Sequence, residues 1–322
     1  MRIDYDKTAE LLRTCGDALI LLHQSPDGDT VGAGFVVYYI LKSMGKRARV
    51  ECADPLPKNY EYMYSGYVHE DFEPEFVITV DVADVQLLGS LREEYESKVD
   101  LAIDHHVSNT MYAKETLLLP NASAASEVVY RLAQMLMPQL TEKIALCVYT
   151  GIATDTGCFK FSNTSGETHR IAAELMDSFS LDYAGLNRLL FDVKSKERIQ
   201  LEGQIINTME MYHGNKCALA AITAEMLEPF ESPDTELDGI TSLTLQYSGV
   251  EVGVLIKEHA ENEYKVSMRS AGKVNVSSVC RNFGGGGHVK AAGCKIKATL
   301  MATKRMLSDA VGAELEITNN DK

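Results

Sequence analysis

Short apolar runs closed by a charged or imidazole side chain recur through the first third of the chain. Ala18–Leu22 runs into His23, Phe76–Val80 into Asp81, and Val99–Ile103 into Asp104-His105-His106. Runs this short, nearly continuous rather than alternating, predict strands buried on both faces, as in a parallel sheet. A further strand is predicted around Arg47–Cys52. Helices are predicted over residues 1–15, over the apolar stretch that ends near residue 44, over Ala124–Met137 and over Glu142–Thr154. In the third of these Val128, Val129, Leu132, Met135 and Leu136 recur at helical spacing. Ser165–Phe179 and Asp182–Phe191 add two helices, and a mostly polar one over about Lys194–Tyr212 reads as a connector. Tyr60, Tyr62, Tyr64 and Tyr67 fall in a loop-like stretch at irregular spacing, which makes them packing or surface residues rather than a stacking platform. After His213-Gly214-Asn215 the pattern changes to shorter alternating strands, Cys217–Thr223, Val250–Lys257 and Tyr264–Arg269. A glycine-rich loop at 283–288, a strand through Ala291–Cys294 and a last helix follow.

Strands with helices between them favour a parallel α/β sheet. The organisation predicted is an α/β chain: an N-terminal parallel-sheet domain over residues 1–190, a helical linker over 191–215 and a smaller α/β domain over 216–322. No internal repeat or low-complexity tract interrupts it.

The stretch His23-Gln24-Ser25-Pro26-Asp27-Gly28-Asp29 carries the first chemistry. A buried strand that ends in one imidazole and two carboxylates is costly unless those groups bind something. In an open parallel sheet ligands sit beyond the carboxyl ends of the strands. The pattern therefore predicts that His23, Asp27, Asp29, Asp81 and His105 converge, although they span more than 80 residues. Asp155 closes an otherwise apolar helix, an odd place for a carboxylate without a partner. Nitrogen and oxygen donors of this kind suit a hard or borderline divalent cation.

Composition narrows the classes. A length of 322 residues suggests two domains with real cores. The net charge of −15 argues against a wide basic face for long duplex nucleic acid. From Tyr264 to Arg305, however, there are nine Lys or Arg and no Asp or Glu, which leaves about −24 on the other 280 residues. A locally basic segment in an acidic protein suggests an anion site of limited size. Seven scattered cysteines without a C-x-x-C argue against a disulfide framework or zinc finger. No run of 18 apolar residues and no signal-peptide layout is present, so the expectation is a cytoplasmic protein without membrane contact.

HQSPDGD (23–29), VDVAD (80–84), AIDHH (102–106) and ATDTG (153–157), followed by GGGGHVKAAG (284–293), resemble the DHH phosphoesterase superfamily. Length and layout are similar to its NrnA-type bifunctional oligoribonucleases and pAp phosphatases, over about residues 16–297. Carried over to this chain, the resemblance implies one metal on His23, Asp27 and Asp81. It implies a second on Asp29, Asp81, His105 and Asp155, with Asp81 bridging. His106 is implied to face the substrate phosphate as a catalytic group, and Asp104 to hold the imidazole orientation. Asp84 is a support residue without a metal role. A donor set without thiolate points to two Mn²⁺ rather than Zn²⁺, with Mg²⁺ or Co²⁺ as substitutes. Two such ions would balance Asp27, Asp29, Asp81 and Asp155; about 3.5–4 Å apart, they can deprotonate a water and stabilise attacking and leaving oxygens.

In the second domain Arg269 matches the family position that contacts phosphate or nucleotide, a task suited to a planar bidentate donor. Gly285, Gly286 and Gly287 would let backbone approach the ligand, and His288 would bond to or stack on a base. Lys265 and Lys290 are nearby cations. Asn109, Ser123 and Ser126 lie near the motifs without an assigned role. The implied substrates are single-stranded RNA or DNA of two to about five nucleotides, cut to 5′-mononucleotides in a cleft between two domains that rejects long polymers, with pAp as a companion substrate. The direction of attack stays open, and a homodimer is compatible.

The alternative closest to this reading is a phosphodiesterase for linear dinucleotides such as pGpG or pApA. A family II inorganic pyrophosphatase would carry an SRKKQ-like motif where this chain has GGGGH. A membrane-bound cyclic-dinucleotide phosphodiesterase would have transmembrane and sensory segments upstream, and a RecJ-like exonuclease would be longer. A sensing module without turnover would be expected to lack one of the metal-type residues, and none is lacking.

Overall fold

The computed structural model describes residues 1–230, 237 and 239–320. Its contacts divide into two compact units, Met1–Val193 and Lys194–Lys322.

In the first unit α1 (Tyr5–Thr14) is capped by Asp4, which accepts from Lys7 N–H. β1 (Ala18–Leu21) leads through the 22–27 turn into α2 (Gly28–Ser43), and β2 (Ala48–Glu51) follows. A one-turn helix α3 (Glu61–Tyr64) occupies part of the stretch expected to be a loop. Its tyrosines pack as expected: Tyr64 stacks on Phe35 with centroids 5.4 Å apart, and Tyr62 Oη lies 2.8 Å from Thr150 Oγ1. Then come β3 (Phe76–Val80), α4 (Arg92–Tyr95), β4 (Leu101–Asp104) and β5 (Glu115–Leu118). The helices α5 (Ala125–Leu136), α6 (Glu142–Asp155), α7 (Gly166–Ser178) and α8 (Tyr183–Asn187) complete the unit.

The sheet runs β2-β1-β3-β4-β5, parallel throughout. Its two faces explain the continuous apolar runs. Ile20, Ile78, Val80, Leu101 and Ile103 pack with α2, α5 and α6, while Leu19, Leu21, Val77 and Ala102 face Leu88, Tyr95 and Val99 on the other side. β5 was not expected, because only a loop separates it from β4. Gly28 owes its place in HQSPDGD to helix packing, since a Cβ there would lie 2.5 Å from Thr154 Oγ1 of α6.

The second unit opens with α9 (Lys196–Thr208), followed by β6 (Glu210–Tyr212), β7 (Cys217–Ile222) and α10 (Ala224–Leu227). The polar helix expected to reach Tyr212 thus stops at Thr208, and its last residues form a strand. Leu201 and Ile205 on α9 are buried with Ala220 and Ile222 of β7. β8 (Val252–Ala260), β9 (Glu263–Ser270), α11 (Val276–Arg281), β10 (Gly286–His288), β11 (Ala291–Lys297) and α12 (Leu300–Asn320) follow. The order is β10-β11-β9-β8-β7-β6, antiparallel except between β7 and β8. The glycine run is therefore not all loop: Gly286–His288 is a short edge strand. Among the described residues no helix is long and apolar enough to cross a membrane.

Candidate metal centre and basic sheet face

The first three apolar runs end where the sequence places its charged groups, at the carboxyl ends of β1, β3 and β4. His23 Nε2 lies 3.6 Å from Asp27 Oδ1 and 3.7 Å from Asp81 Oδ2. On the other side of the same carboxylate, His105 Nε2 lies 3.5 Å from Asp81 Oδ1, 3.9 Å from Asp29 Oδ2 and 3.8 Å from Asp155 Oδ2. His106 Nδ1 is also 3.5 Å from Asp81 Oδ1. Among the described residues the donor atoms fall into three groups, each within 4.8 Å: His23-Asp27-Asp81, Asp29-His105-Asp155 and Asp81-His105-His106. Asp81 stands between the imidazoles, presenting one oxygen to each side.

Asp27 and Asp29 are held by backbone donors. Asp27 caps α2, accepting from Asp29 and Thr30 N–H at 3.0 Å. Asp29, 1% exposed, accepts from Ala125 N–H at 2.6 Å and Ser126 N–H at 2.9 Å, the first turn of α5, where backbone donors and the helix dipole favour an anion. Asp81 sits at φ 61°, a left-handed conformation costly for a non-glycine residue. Its Oδ1 is buried without a hydrogen-bond partner among the described residues. A buried carboxylate oxygen left unbonded costs free energy unless a cation takes it. That orphan, together with nitrogen and oxygen donors on both sides, fits divalent cations.

The electrostatics of the cluster agree. Burial and the Asp29 and Asp27 charges push the Asp81 carboxyl well above the usual range. Burial and Asp29 raise Asp155 to about 7. Burial raises Asp29 as well. At His23 burial opposes the charged ring, but Asp27 and Asp81 outweigh it and carry the group up to about 9. At His105 burial is likewise outweighed, by Asp29 and Asp155. Burial and mutual repulsion thus raise Asp29, Asp81 and Asp155, whereas at Asp27 burial is outweighed by His23 and the carboxyl lies below the usual range.

Asp104, fully buried, is not in any of the three groups and supports them. It accepts from His105 N–H at 2.8 Å, His106 N–H at 3.2 Å, His106 Nδ1 at 2.8 Å and Asn109 Nδ2 at 2.6 Å. Burial opposes its charge, yet the bonds from His106 hold it below the usual range. The same pairing, against burial, raises His106 and fixes Nδ1, leaving Nε2 for a ligand. Asp84 caps the turn after β3 through Gln86 N–H at 2.8 Å and joins no group.

The second unit places the other expected residues on one sheet face. His288 of β10 pairs with Ala291 of β11, and Ala291 pairs with Arg269 of β9. Directly opposed residues share a face, so Arg269 and His288 flank the small Ala291. Lys265 and Lys295 form a paired basic row two steps along the same face. Gly285 and Gly287 lie tight on β11: a Cβ would meet Gly293 O at 2.2 Å and Ala291 O at 2.5 Å, whereas Gly286 faces open space. His169 and His213 take structural roles, His169 stacked 5.1 Å from Phe159 and His213 Nε2 on Ser308 O at 2.8 Å.

Sequence reasoning named Asn109, Ser123 and Ser126 without roles and missed Asn163, whose Nδ2 lies 3.2 Å from Asp155 Oδ2. Ser123 and Ser126 reach the site through backbone groups, and Asn109 and Asn163 through side-chain amides that no spacing or composition sets apart from other polar loop residues.

Two family models match this chain: the DHH family, N-terminal domain, over residues 17–152, and the DHHA1 domain over residues 218–313. The bifunctional oligoribonuclease and PAP phosphatase NrnA of Thermus thermophilus is 33% identical over 318 residues, covering 95% of this chain and 93% of that protein. The Bacillus subtilis protein of the same name is 28% identical over 295 residues, covering 89% and 92%. An exopolyphosphatase-related protein from Bacteroides fragilis superposes with a TM-score of 0.87 at 24% identity, over 96% of this chain and 95% of that one, and so has the same fold. With the motifs, the two matched domains and a relative of this identity along nearly its whole length, the chain belongs to the DHH family of phosphoesterases, in its NrnA group.

Proposed function

We propose that this protein is a two-metal, Mn²⁺-dependent phosphohydrolase. Its substrates are single-stranded RNA or DNA of two to about five nucleotides, cut to 5′-mononucleotides, and it also removes the 3′-phosphate of pAp. The observation that carries the reading is the position of Asp81 between two imidazole-carboxylate groups, with Oδ1 buried and unbonded. His23, Asp27 and Asp81 would hold one ion, and Asp29, Asp81, His105 and Asp155 the other. When bound, the ions supply an activated water and a positive field for the phosphate.

The remaining chemistry belongs to the chain. Asp104 fixes His106 through Nδ1 and favours the protonated ring, whose Nε2–H would donate to a phosphate oxygen. In the second unit Arg269 is suited to a bidentate grip on a phosphate, and His288 to a base edge or face. The glycines between them allow close approach of backbone.

The test is purified protein with Mn²⁺, given pAp, a dinucleotide, a 5-mer, a 24-mer and pyrophosphate, with products resolved over time. AMP from pAp and mononucleotides from the dinucleotide and 5-mer, with the 24-mer and pyrophosphate persisting, are the expected outcome. Turnover of pyrophosphate alone would overturn the proposal, and cleavage confined to the dinucleotide would favour a linear-dinucleotide phosphodiesterase.

A further inference from the structure

The two halves of the acidic cluster are not supported alike. Every member of the Asp29-His105-Asp155 group is tied to one short stretch of backbone, residues 122–126. His105 Nδ1 lies 3.2 Å from Ala122 O. Asp29 accepts from Ala125 and Ser126 N–H at 2.6 and 2.9 Å. Asp155 reaches the same stretch through Asn163, whose Nδ2 donates to Ser123 O at 2.9 Å, to Asp155 O at 3.1 Å and to Asp155 Oδ2 at 3.2 Å. That carboxylate oxygen is the one 3.8 Å from His105 Nε2.

Residues on both sides buttress the stretch. Glu127, buried, accepts from Ser123 Oγ at 2.8 Å and from Thr168 Oγ1 at 3.3 Å. The loop that brings Asn163 back to Asp155 passes through three successive left-handed residues, Gly157, Cys158 and Phe159, at φ 55°, 59° and 62°. Two of these are not glycine, so the return carries conformational strain. Among the bonds of the described residues, none runs from this stretch or from Asn163 to His23, Asp27 or Asp81.

We propose that Asn163 is a positioning residue for one of the two metal sites: it orients the Asp155 carboxylate against residues 122–126 and so sets the affinity of the Asp29-His105-Asp155 site while leaving the His23-Asp27-Asp81 site unchanged. The inference rests on the two-metal reading above. Groups behind a ligand that fix its orientation are typically worth about 10–100-fold in metal affinity. Asn163 is exposed, so its removal leaves the core intact.

The experiment is calorimetric titration of the chelator-stripped full chain with Mn²⁺, read alongside the Mn²⁺ electron paramagnetic resonance signal, for wild type, Asn163→Ala and His23→Ala. Wild type is expected to take up two ions. Asn163→Ala should weaken one of them about 10–100-fold and hold the other within about twofold, and the site it spares should be the one that His23→Ala weakens. A merely structural role would move both sites or the melting temperature instead. If Asn163→Ala weakens both equally or neither, or weakens the site that His23→Ala weakens, the inference is wrong while the two-metal reading stands. Wild type that takes up fewer than two ions overturns both.

Discussion

The two units present opposite kinds of site. In the first, carboxylates and imidazoles are packed at the carboxyl ends of three strands and braced individually: Asp29 by the first turn of α5, Asp104 by four donors, His105 by a carbonyl. In the second, the Arg269 guanidinium donates to the neighbouring Met268 O at 3.0 Å, and His288 is exposed on an edge strand beside glycines. Like charges forced together need scaffolding, because the chain resists their approach until cations arrive. On the proposed function, hydrolysis belongs to the braced cluster of the first unit and substrate choice to the sheet face of the second.

The largest way to break that contrast is Asp81→Asn. It removes the proposed shared ligand, so activity on a dinucleotide should fall by more than about 100-fold, beyond what changes behind a ligand produce. The same substitution should raise the melting temperature of the metal-free protein, because it removes a carboxyl whose ionised form burial, Asp29 and Asp27 disfavour, a penalty absent from the unfolded chain. A fall in both would mean that Asp81 is structural.

Stripping metal comes next. A ligand at about 100 times its dissociation constant stabilises by about 2.7 kcal/mol, so chelator should lower the first unit's melting temperature by about 5–10 °C at 2–4 °C per kcal/mol. An unchanged transition would contradict the idea that the cluster needs cations. Gly151→Ala should act in the same unit and direction, by a few degrees. Its Cβ would lie 1.9 Å from Ser126 Oγ and 2.7 Å from Asp29 Oδ1, with little room to relax.

The pH slope of the metal-free protein tests the same crowding. Asp155 at about 7 and His23 at about 9 hold protons more tightly in the fold than in the unfolded chain, where they titrate near about 3.9 and 6.5. The folded state therefore carries the excess of protons between about pH 4 and 9, and stability falls as pH rises through that window. The expected melting temperature is lower at pH 9 than at pH 6, and saturating Mn²⁺ should flatten the slope. A temperature that rises over that range would show that the cluster is not crowded as described.

Much of the first site was legible because its chemistry sits in side chains that interrupt apolar runs. His23, Asp81 and His105 each stand where a buried strand stops, and Asp155 where an apolar helix stops. What stayed hidden works through the backbone or through context. The 122–126 stretch offers carbonyls and N–H groups that no side-chain pattern announces, and Asn163 is one polar residue in a polar loop. β5 lacked the intervening helix that marks a parallel crossover. Gly286–His288 pairs as a strand although glycine is a poor strand former, because β11 supplies an edge for it to follow. Gly28 resembled a turn residue and is instead the contact that lets α6 approach α2.

The division of labour itself is tested most directly by Arg269→Ala, assayed on a dinucleotide and on bis(p-nitrophenyl) phosphate with Mn²⁺. The dinucleotide should lose about 10–100-fold in kcat/KM, mostly through KM, the cost of about 1.5–3 kcal/mol for a charge-assisted bond. The generic diester should stay within about twofold. Equal losses on both substrates would place Arg269 in the hydrolytic machinery and contradict the separation of hydrolysis from substrate choice.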